Sequence, residues 1–463
     1  MEFLNDKRKK QQFLFSYVTF MLNGMLALSV GSLLPFIRDA RGLEYTFCGF
    51  LVSLHSVGNL ISSFFAGALA VKIGRKSSIL LFNACYALSY LLILLGGNGG
   101  WLVAAFLLTG MARGATSNFS NVTINNLAPG QAWILNGLHA MFSIGAFLFP
   151  ILLTVLTADF ADRWQMACGF MLVMGILSWI LYSVMPVDEV RKPQKMGKEY
   201  RNKAGGSGEE KKGEDRNAGD GNTRNRNVGD GNTKNRNIRN GNTGDRKAGD
   251  ESGKNGTEEN GKERTGNREG QGLMSFWKEP MFFLCTATLF FYLCVEQGVI
   301  GWLVTYFKDT GLLNASLSQV MASVQWVMIL AGRLTTAYLS TRLDKTKLLR
   351  VMGVGLILFF VVLITGRTTP QIVIGIMGFG YSMAGIYPTT VSFAGKLIQK
   401  YPLSWSFMLT MASFGSILMP SVIGRIAESE GIFYGMSSIV VVIVIDMALI
   451  IGLTSYMKRR GTD

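Results

Sequence analysis

The sequence predicts an all-α membrane protein whose twelve transmembrane helices form two pseudo-symmetric six-helix bundles. Two observations predict it: the uneven spread of charge and the recurrence of long apolar segments. Of the 75 Lys, Arg, Asp and Glu residues, 36 lie at positions 187–274, which leaves 39 for the other 375 residues. A water-soluble protein of that size needs a more highly charged surface. The bulk of the chain is therefore expected to lie in lipid.

The apolar segments have the length that a membrane requires. A bilayer core about 30 Å thick needs roughly 20 apolar helical residues, and such segments occur six times before the charged stretch and six times after it. Glycine, proline or charged residues mark most breaks between them. The predicted helices are 12–37, 47–71, 77–97, 101–127, 131–158, 164–186, 281–307, 315–341, 347–366, 371–396, 403–427 and 432–457.

This pattern predicts three parts of the chain. Residues 1–186 form an N-terminal six-helix bundle, 187–274 a disordered cytoplasmic linker and 275–463 a C-terminal six-helix bundle. The linker contains four tandem decamers at 216–255 that begin with Arg-Asn or Arg-Lys. Such a polar repeat cannot bury apolar surface. It is either an expanded spacer or a binding site for a cytosolic partner or anionic lipid.

The basic residues of the short loops predict the orientation. If the N-terminus lies inside the cell, sixteen Lys and Arg residues fall at the inner helix ends and six at the outer ends. Positive loop residues favour the cytoplasmic side. Both termini are thus expected in the cytoplasm and the protein in the cytoplasmic (inner) membrane. This asymmetry also explains the net charge of +15, so a nucleic-acid partner is not expected.

Two predicted helices carry matching motifs in the two halves. The fifth contains FSIGAFLFP, with Gly145 and Pro150, and the eleventh contains ASFGSILMP, with Gly415 and Pro420. The offset is 270 residues in both cases. Glycine allows two helices to approach closely, and proline bends a membrane helix. The coincidence indicates duplicated halves that can move against each other.

At the end of the second predicted helix, the stretch GALAVKIGRK resembles the helix 2–3 loop signature of the major facilitator superfamily, Gly-x-x-x-Asp-x-x-Gly-Arg-Lys. Gly67, Gly74, Arg75 and Lys76 match this signature. Val71 occupies the acidic position, which departs from the family pattern. The resemblance implies that the four matching residues belong to a gating loop, with Arg333 of the eighth helix as a further gating residue.

Within that superfamily, the chain resembles the fucose-permease and bacterial glucose-permease branch. The residues that carry this resemblance are YLCVEQGVIGWLVTY (292–306), QWVMILAGR (325–333) and MAGIYPTTVSFAGKLIQKY (383–401). The resemblance implies a sugar or sugar-like substrate and, often, proton coupling. It also implies a site lined by helices one, four, seven and ten.

Four ionisable residues fall within the predicted helices: Arg113, Glu296, Arg333 and Asp446. Each costs roughly 2.5–3.5 kcal/mol to insert at the bilayer centre, so each requires an explanation. Glu296 can load and release a proton or accept hydrogen bonds from sugar hydroxyls; the alternative is a fixed ion pair with an arginine. For Asp446 an ion pair with another helix is expected.

Arg113 has two open interpretations. It binds an anionic substrate, such as a sugar acid or phosphate, or it pairs with Glu296 or Asp446. His139 and His55 are the only histidines, and each is either a proton relay or a packing residue.

Amide and tryptophan side chains are the remaining candidates for substrate contact, because amides both donate to and accept from hydroxyl groups and indole rings stack on sugars. These candidates are Asn23, Asn59, Asn118, Asn121, Asn136, Gln297, Trp302, Gln325 and Trp326.

These features favour a secondary active transporter of a small polar solute, working by alternating access. A multidrug efflux transporter of the same fold and a non-transporting membrane sensor or scaffold are the alternatives. No phosphate-binding glycine loop is found in the sequence, so direct ATP drive is not expected. The expected reaction is vectorial movement in which no bond is broken, and neither enzymatic chemistry nor a cofactor is expected. The five cysteines have no metal-ligand spacing, and a monomer in the lipid bilayer is expected.

Overall fold

The computed structural model describes residues 6–128, 131–157, 163–187 and 275–460. Within these ranges all regular elements are helical. Apart from Val187, the predicted linker with its decamers lies outside the described residues. The helices are α1 Lys7–Arg41, α2 Tyr45–Ile73, α3 Arg75–Leu95, α4 Gly99–Leu127, α5 Ala132–Thr157, α6 Trp164–Val184, α7 Pro280–Asp309, α8 Ala315–Leu339, α9 Lys345–Thr365, α10 Thr369–Met383, α11 Ile386–Phe393, α12 Gly395–Lys400, α13 Pro402–Glu430, α14 Ile432–Ser437 and α15 Ile439–Arg459; a short 3₁₀ helix, Ser275–Lys278, precedes α7.

Eleven spans in the described ranges are long and apolar enough to cross a membrane. Two of them combine neighbouring helices: α10 with α11, and α14 with α15. The twelfth crossing helix is α4, which has 29 residues but carries Arg113, Asn118 and Asn121. The all-α membrane fold with twelve crossing helices is therefore as predicted. The polar helix α4 is one of the four helices that were predicted to line the site.

The helix boundaries differ from prediction where local chemistry extends or interrupts a helix. Helix α1 begins at Lys7 rather than 12, because the Asp6 carboxylate accepts from the Arg8 backbone N–H at 2.9 Å and caps the first turn. The predicted tenth helix is divided at Ala384–Gly385. Pro388 has no N–H to donate to the Ala384 carbonyl four residues earlier, which interrupts the helix there.

The helices pack as two bundles. In the first, α1 contacts α5, α2 contacts α4, and α3 lies against α4 and α6; in the second, α7 contacts α13 and α15, and α10 lies against α8 and α9. The bundles meet where α2 contacts α13, α5 contacts α8 and α1 contacts α7. The first two of these pairs are equivalent under the repeat, since helices two and eight and helices five and eleven correspond.

The repeated glycines allow the closest helix contacts. A Cβ atom at Gly145 in α5 would overlap the Met21 carbonyl oxygen of α1. At the repeat-related Gly415 in α13, a Cβ atom would overlap the Phe290 carbonyl oxygen of α7. The two glycines thus have the same role in the two bundles, as the repeated motif predicted.

Candidate functional site

Ion pairs join the two bundles at the end where α1 finishes and α2 begins. The Arg38 guanidinium of α1 bonds the Asp309 carboxylate at the end of α7, and the Lys308 ammonium bonds Asp39. The Tyr45 hydroxyl donates to the same Asp309 carboxylate at 2.9 Å. We call this end, defined by these five residues, the closed end.

Hydrogen bonds continue the closure for about two helical turns below these ion pairs. The Tyr45 backbone N–H donates to the Glu428 carboxylate at 2.6 Å, and the hydroxyls of Ser53 and Ser421 are 2.7 Å apart. Between α8 and α1 the Gln319 amide donates to the Ser32 carbonyl at 2.9 Å. Each of these hydrogen bonds joins one bundle to the other, so this half of the interface is tightly packed.

Contacts at the other end stay within one bundle. The Arg350 guanidinium donates to the Thr454 hydroxyl at 2.7 Å, and Lys400 pairs with Glu279 at 3.5 Å, all in the second bundle. In the first bundle, Arg8 donates to the Val187 carbonyl at 3.4 Å. We call this the open end, since each of these hydrogen bonds and ion pairs lies within one bundle.

The predicted gating loop lies at this open end. Gly74 separates α2 from α3 with φ of 91°, a conformation that side chains disfavour. Arg75 donates to the Thr123 hydroxyl at 3.3 Å and stacks over the Phe119 ring at 5.3 Å. Lys76 is half-buried beside it, and a side chain at Gly67 would meet open space.

Glu296 lies between the two bundles, near the middle of α7. Its carboxylate accepts a hydrogen bond from the Tyr292 hydroxyl at 3.1 Å, and the Tyr292 ring is 5.9 Å from that of Tyr387 at the α10–α11 break. Glu296 is only half-buried, although it is far from both helix ends. Partial exposure of a carboxylate at this depth indicates a cleft that solvent reaches.

Arg113 of α4 faces Glu296 from the first bundle. Its nearest side-chain partner is His55, whose Nε2 atom is 3.4 Å from the arginine Nη1 atom. The charges of Arg113 and Glu296 interact, but among the described residues the two groups form no direct ion pair. The fixed pair that the sequence left open is therefore absent in this conformation, and so is a pair of Arg113 with Asp446.

Arg333 is a second half-buried arginine at the bundle interface. It lies on α8, and its charge acts on His139 of α5 in the opposite bundle and on Tyr292 and Tyr387 in its own. In the described part of the chain its side chain has no hydrogen-bond or ion-pair partner. Arg333 therefore shares a charged region with Glu296, in addition to the gating position that the sequence predicted.

Asn23 is buried in a network that ties α1 to two neighbours. It donates to the Ser117 hydroxyl of α4 at 3.1 Å and accepts from the Tyr86 hydroxyl of α3 at 2.5 Å. Both of its polar groups are thus occupied by protein. Tyr86 was missed by the sequence reasoning, as were Tyr292 and Tyr387, because a tyrosine in an apolar helix resembles ordinary packing.

The other predicted asparagines differ in their burial and in whether their side chains already have a hydrogen-bond partner in the protein. Asn59 is half-buried and lies against Gly114 of α4, while the Asn118 amide donates to the Ser63 carbonyl at 3.0 Å. The buried Asn121 carbonyl oxygen has no hydrogen-bond partner in the described residues, and Asn136 is exposed.

The predicted glutamines and tryptophans divide between the cleft and the closed end. Gln297 and Gln325 are buried, and the Gln325 amide nitrogen finds no partner among the described residues. Trp326 reaches across the interface to within 6.1 Å of the Phe142 ring in α5. Trp302 is fully buried toward the closed end, where its indole N–H donates to the Pro420 carbonyl at 3.1 Å.

The predicted ion pair of Asp446 is wrong. Its side chain is 0% exposed on α15, and neither carboxyl oxygen has a hydrogen-bond partner in the part of the chain that the structure describes. The sequence indicated an unusual residue but not that its carboxyl group would be buried without a hydrogen-bond partner among the described residues.

Sequence comparison identifies the family and partial relatives. The Major Facilitator Superfamily model matches residues 13–420. The glucose/mannose transporter GlcP of Bacillus subtilis is 26% identical over 188 residues, which cover 40% of this chain and 45% of that protein. Protein TsgA of Escherichia coli is 25% identical over 157 residues, 34% of this chain and 39% of that protein. The chain thus matches less than half the length of these relatives.

Solved structures resemble the chain over nearly its whole length. The crystal structure of a D-xylose-proton symporter aligns with a TM-score of 0.68 and 10% identity, covering 96% of this chain and 97% of that one. A variant of the nucleoside transporter NupG aligns with a TM-score of 0.66 and 12% identity, covering 97% and 99%. At such low identity the likeness concerns the fold. Together with the family match, it shows that this chain belongs to the Major Facilitator Superfamily and has its fold of two six-helix bundles.

Proposed function

We propose that this protein is a secondary active transporter that moves a small polar solute, a sugar or sugar-like compound, across the cytoplasmic membrane by alternating access. The observation that carries the proposal is the cleft at mid-helix depth, where Arg113 and His55 of one bundle face Glu296 and Tyr292 of the other. Charged and polar groups are costly to place at that depth, so their presence there indicates a functional site. The name of the partial relative GlcP supports the sugar class.

The two ends of the bundle interface support the mechanism. Ion pairs seal the closed end, whereas the contacts at the open end stay within each bundle. In this state the solute enters and leaves the cleft from the open end, which the basic loop residues assign to the cytoplasm. Rocking about the α2–α13 and α5–α8 contacts would break the closed end and form an equivalent closure at the other.

Proton coupling is proposed to run through Glu296. The Glu296 carboxylate faces Arg113 of the opposite bundle, and the Tyr292 hydroxyl donates a hydrogen bond to one of its oxygens. A proton that neutralises Glu296 removes its attraction for Arg113. Protonation would thereby change the interaction between the two bundles at the point where solute binds.

The test is uptake by the purified full chain in proteoliposomes. An inward proton gradient should drive accumulation of a labelled sugar-like solute, and Glu296→Gln should abolish accumulation while retaining solute exchange, because only the proton site is lost. Glu430→Gln, an exposed change at the end of α13, is the matched control. Unchanged accumulation by Glu296→Gln would contradict coupling through this residue.

A further inference from the structure

The charged groups of the cleft do not balance. Among the residues that the structure describes, two guanidinium groups, Arg113 and Arg333, lie there with one carboxylate, Glu296, and the two histidines add no negative charge. Asp446 does not compensate them, since it is sealed in an apolar part of α15. The cleft therefore has an excess of one positive charge when Glu296 is ionised.

The hydrogen-bonding capacity of Arg113 is also largely unused. A guanidinium carries five N–H donors, and an imidazole nitrogen accepts at most one of them. His55, at 3.4 Å, is the one hydrogen-bond partner that the described residues provide for the Arg113 side chain. Most of its donors are thus available to a ligand that reaches this half-buried side chain.

This arrangement is tolerable only while the cleft is open to water. In alternating access the cleft must close around the solute, and closure expels water and strengthens every remaining charge interaction. A buried charge without a counter-ion is then strongly unfavourable. Something that enters with the solute must supply the missing negative charge.

We propose that the transported solute is itself a monoanion, a sugar acid whose carboxylate binds Arg113; this rests on the transport function proposed above. While Glu296 is ionised, one carboxylate added to Arg113, Arg333 and Glu296 brings the cleft to neutrality. In that same state a phosphate ester, with a charge of about −1.5 to −2 at neutral pH, would overcompensate the single excess positive charge. The guanidinium fork also fits a carboxylate through two parallel hydrogen bonds, which a neutral sugar does not offer.

The experiment compares matched pairs of ligands on the purified full chain by thermal shift and by titration. Glucose and glucuronate differ only in the group at carbon six, as do galactose and galacturonate. We expect one or both acids to raise the unfolding temperature, and the neutral partners to have a much smaller effect.

Two variants at position 113 and one control test whether the preference for the acid depends on Arg113. Arg113→Gln should weaken acid binding about 10- to 100-fold, as expected for loss of a hydrogen bond to a charged group. Arg113→Lys keeps the charge but loses the fork, so it should retain a preference for the acid at reduced affinity. Arg425→Gln, at an exposed position on α13, should bind like the unaltered protein.

The comparison on the unaltered chain decides the proposal even if a variant fails to fold. Equal stabilisation by the acid and neutral members would overturn the anionic substrate while leaving solute binding intact. Absence of stabilisation by every member of both pairs would count against the sugar-acid inference and the proposed sugar transport together. A preference for the acid that survives in Arg113→Gln would overturn the assignment to Arg113.

Discussion

Two carboxyl groups at mid-membrane depth have opposite surroundings in this protein. Glu296 accepts a hydrogen bond from Tyr292 and feels the charge of Arg113. Asp446 has neither a hydrogen bond nor an ion pair within the described ranges, and it faces α7 near Cys294. The first is placed to change its charge during function, whereas the second imposes an unmet hydrogen-bonding cost on the fold.

Replacing Asp446 by valine should therefore stabilise the protein. An unsatisfied buried polar group costs about 1–3 kcal/mol, and an apolar side chain of similar size removes that cost. We expect Asp446→Val to raise the unfolding temperature of the purified protein, and Asp446→Asn, which keeps a polar group in the same space, to leave it nearly unchanged. A clear loss of stability in Asp446→Val would mean that the carboxyl has a partner, such as a bound cation or water.

Sequence reasoning at the residue scale identified charges better than contacts. Arg113 and Glu296 were predicted to matter because charged side chains are rare in apolar helices, and the structure places them on facing bundles. Whether they formed a fixed pair depended on the separation of two bundles, which the sequence does not encode locally. The Asp446 pair was wrong for the same reason. The contact of Tyr292 with Glu296 was missed, although the two residues are four apart in a predicted helix and therefore lie one turn from each other.

At the scale of helices, the closed end is built from helix termini. Arg38, Asp39 and Tyr45 lie where α1 ends and α2 begins, and Lys308 and Asp309 form the last turn of α7. In the sequence these charges resemble ordinary loop residues outside the membrane. They become a closure only because the α1–α7 contact brings two termini from different bundles together.

Asp309 should hold this end shut, and a native cysteine can report it. The Asp309 carboxylate forms an ion pair with Arg38 and accepts a hydrogen bond from the Tyr45 hydroxyl. Cys48, one turn into α2, is 0% exposed in this conformation. In a chain with the other four cysteines changed to serine, Asp309→Asn should raise the maleimide labelling rate of Cys48 by roughly tenfold, equivalent to about 1.4 kcal/mol of lost closure.

The control for this labelling is Glu430→Gln, an exposed change near the same end that removes a carboxylate without a described ion pair. It should label at the unaltered rate. Equal labelling of the Asp309→Asn and unaltered chains would show that apolar packing, and not the ion pairs, keeps the closed end together.

Across the whole molecule, the two bundles contact each other directly through the described helices. The α2–α13, α5–α8 and α1–α7 contacts all lie within the described residues, and these helices also build the cleft. The number and order of the crossing helices could be predicted because lipid imposes a length and polarity on every one of them. Which end is closed could not be predicted, because both conformations of a rocking transporter use the same sequence.

Deleting residues 200–270 should therefore preserve transport. The polar repeats in this region cannot build a core, and removing them leaves 19 residues between Val184 and the Ser275–Lys278 turn. Nineteen extended residues reach roughly 60 Å, more than the roughly 40 Å that four adjacent helices of about 10 Å diameter occupy. The bundles can thus still pair, and we expect uptake in proteoliposomes within about twofold of the full chain. If the shortened protein keeps its unfolding temperature and ligand binding but loses uptake, the segment has an active part in transport. If it transports normally, the alternative of a scaffold that acts through this segment is contradicted.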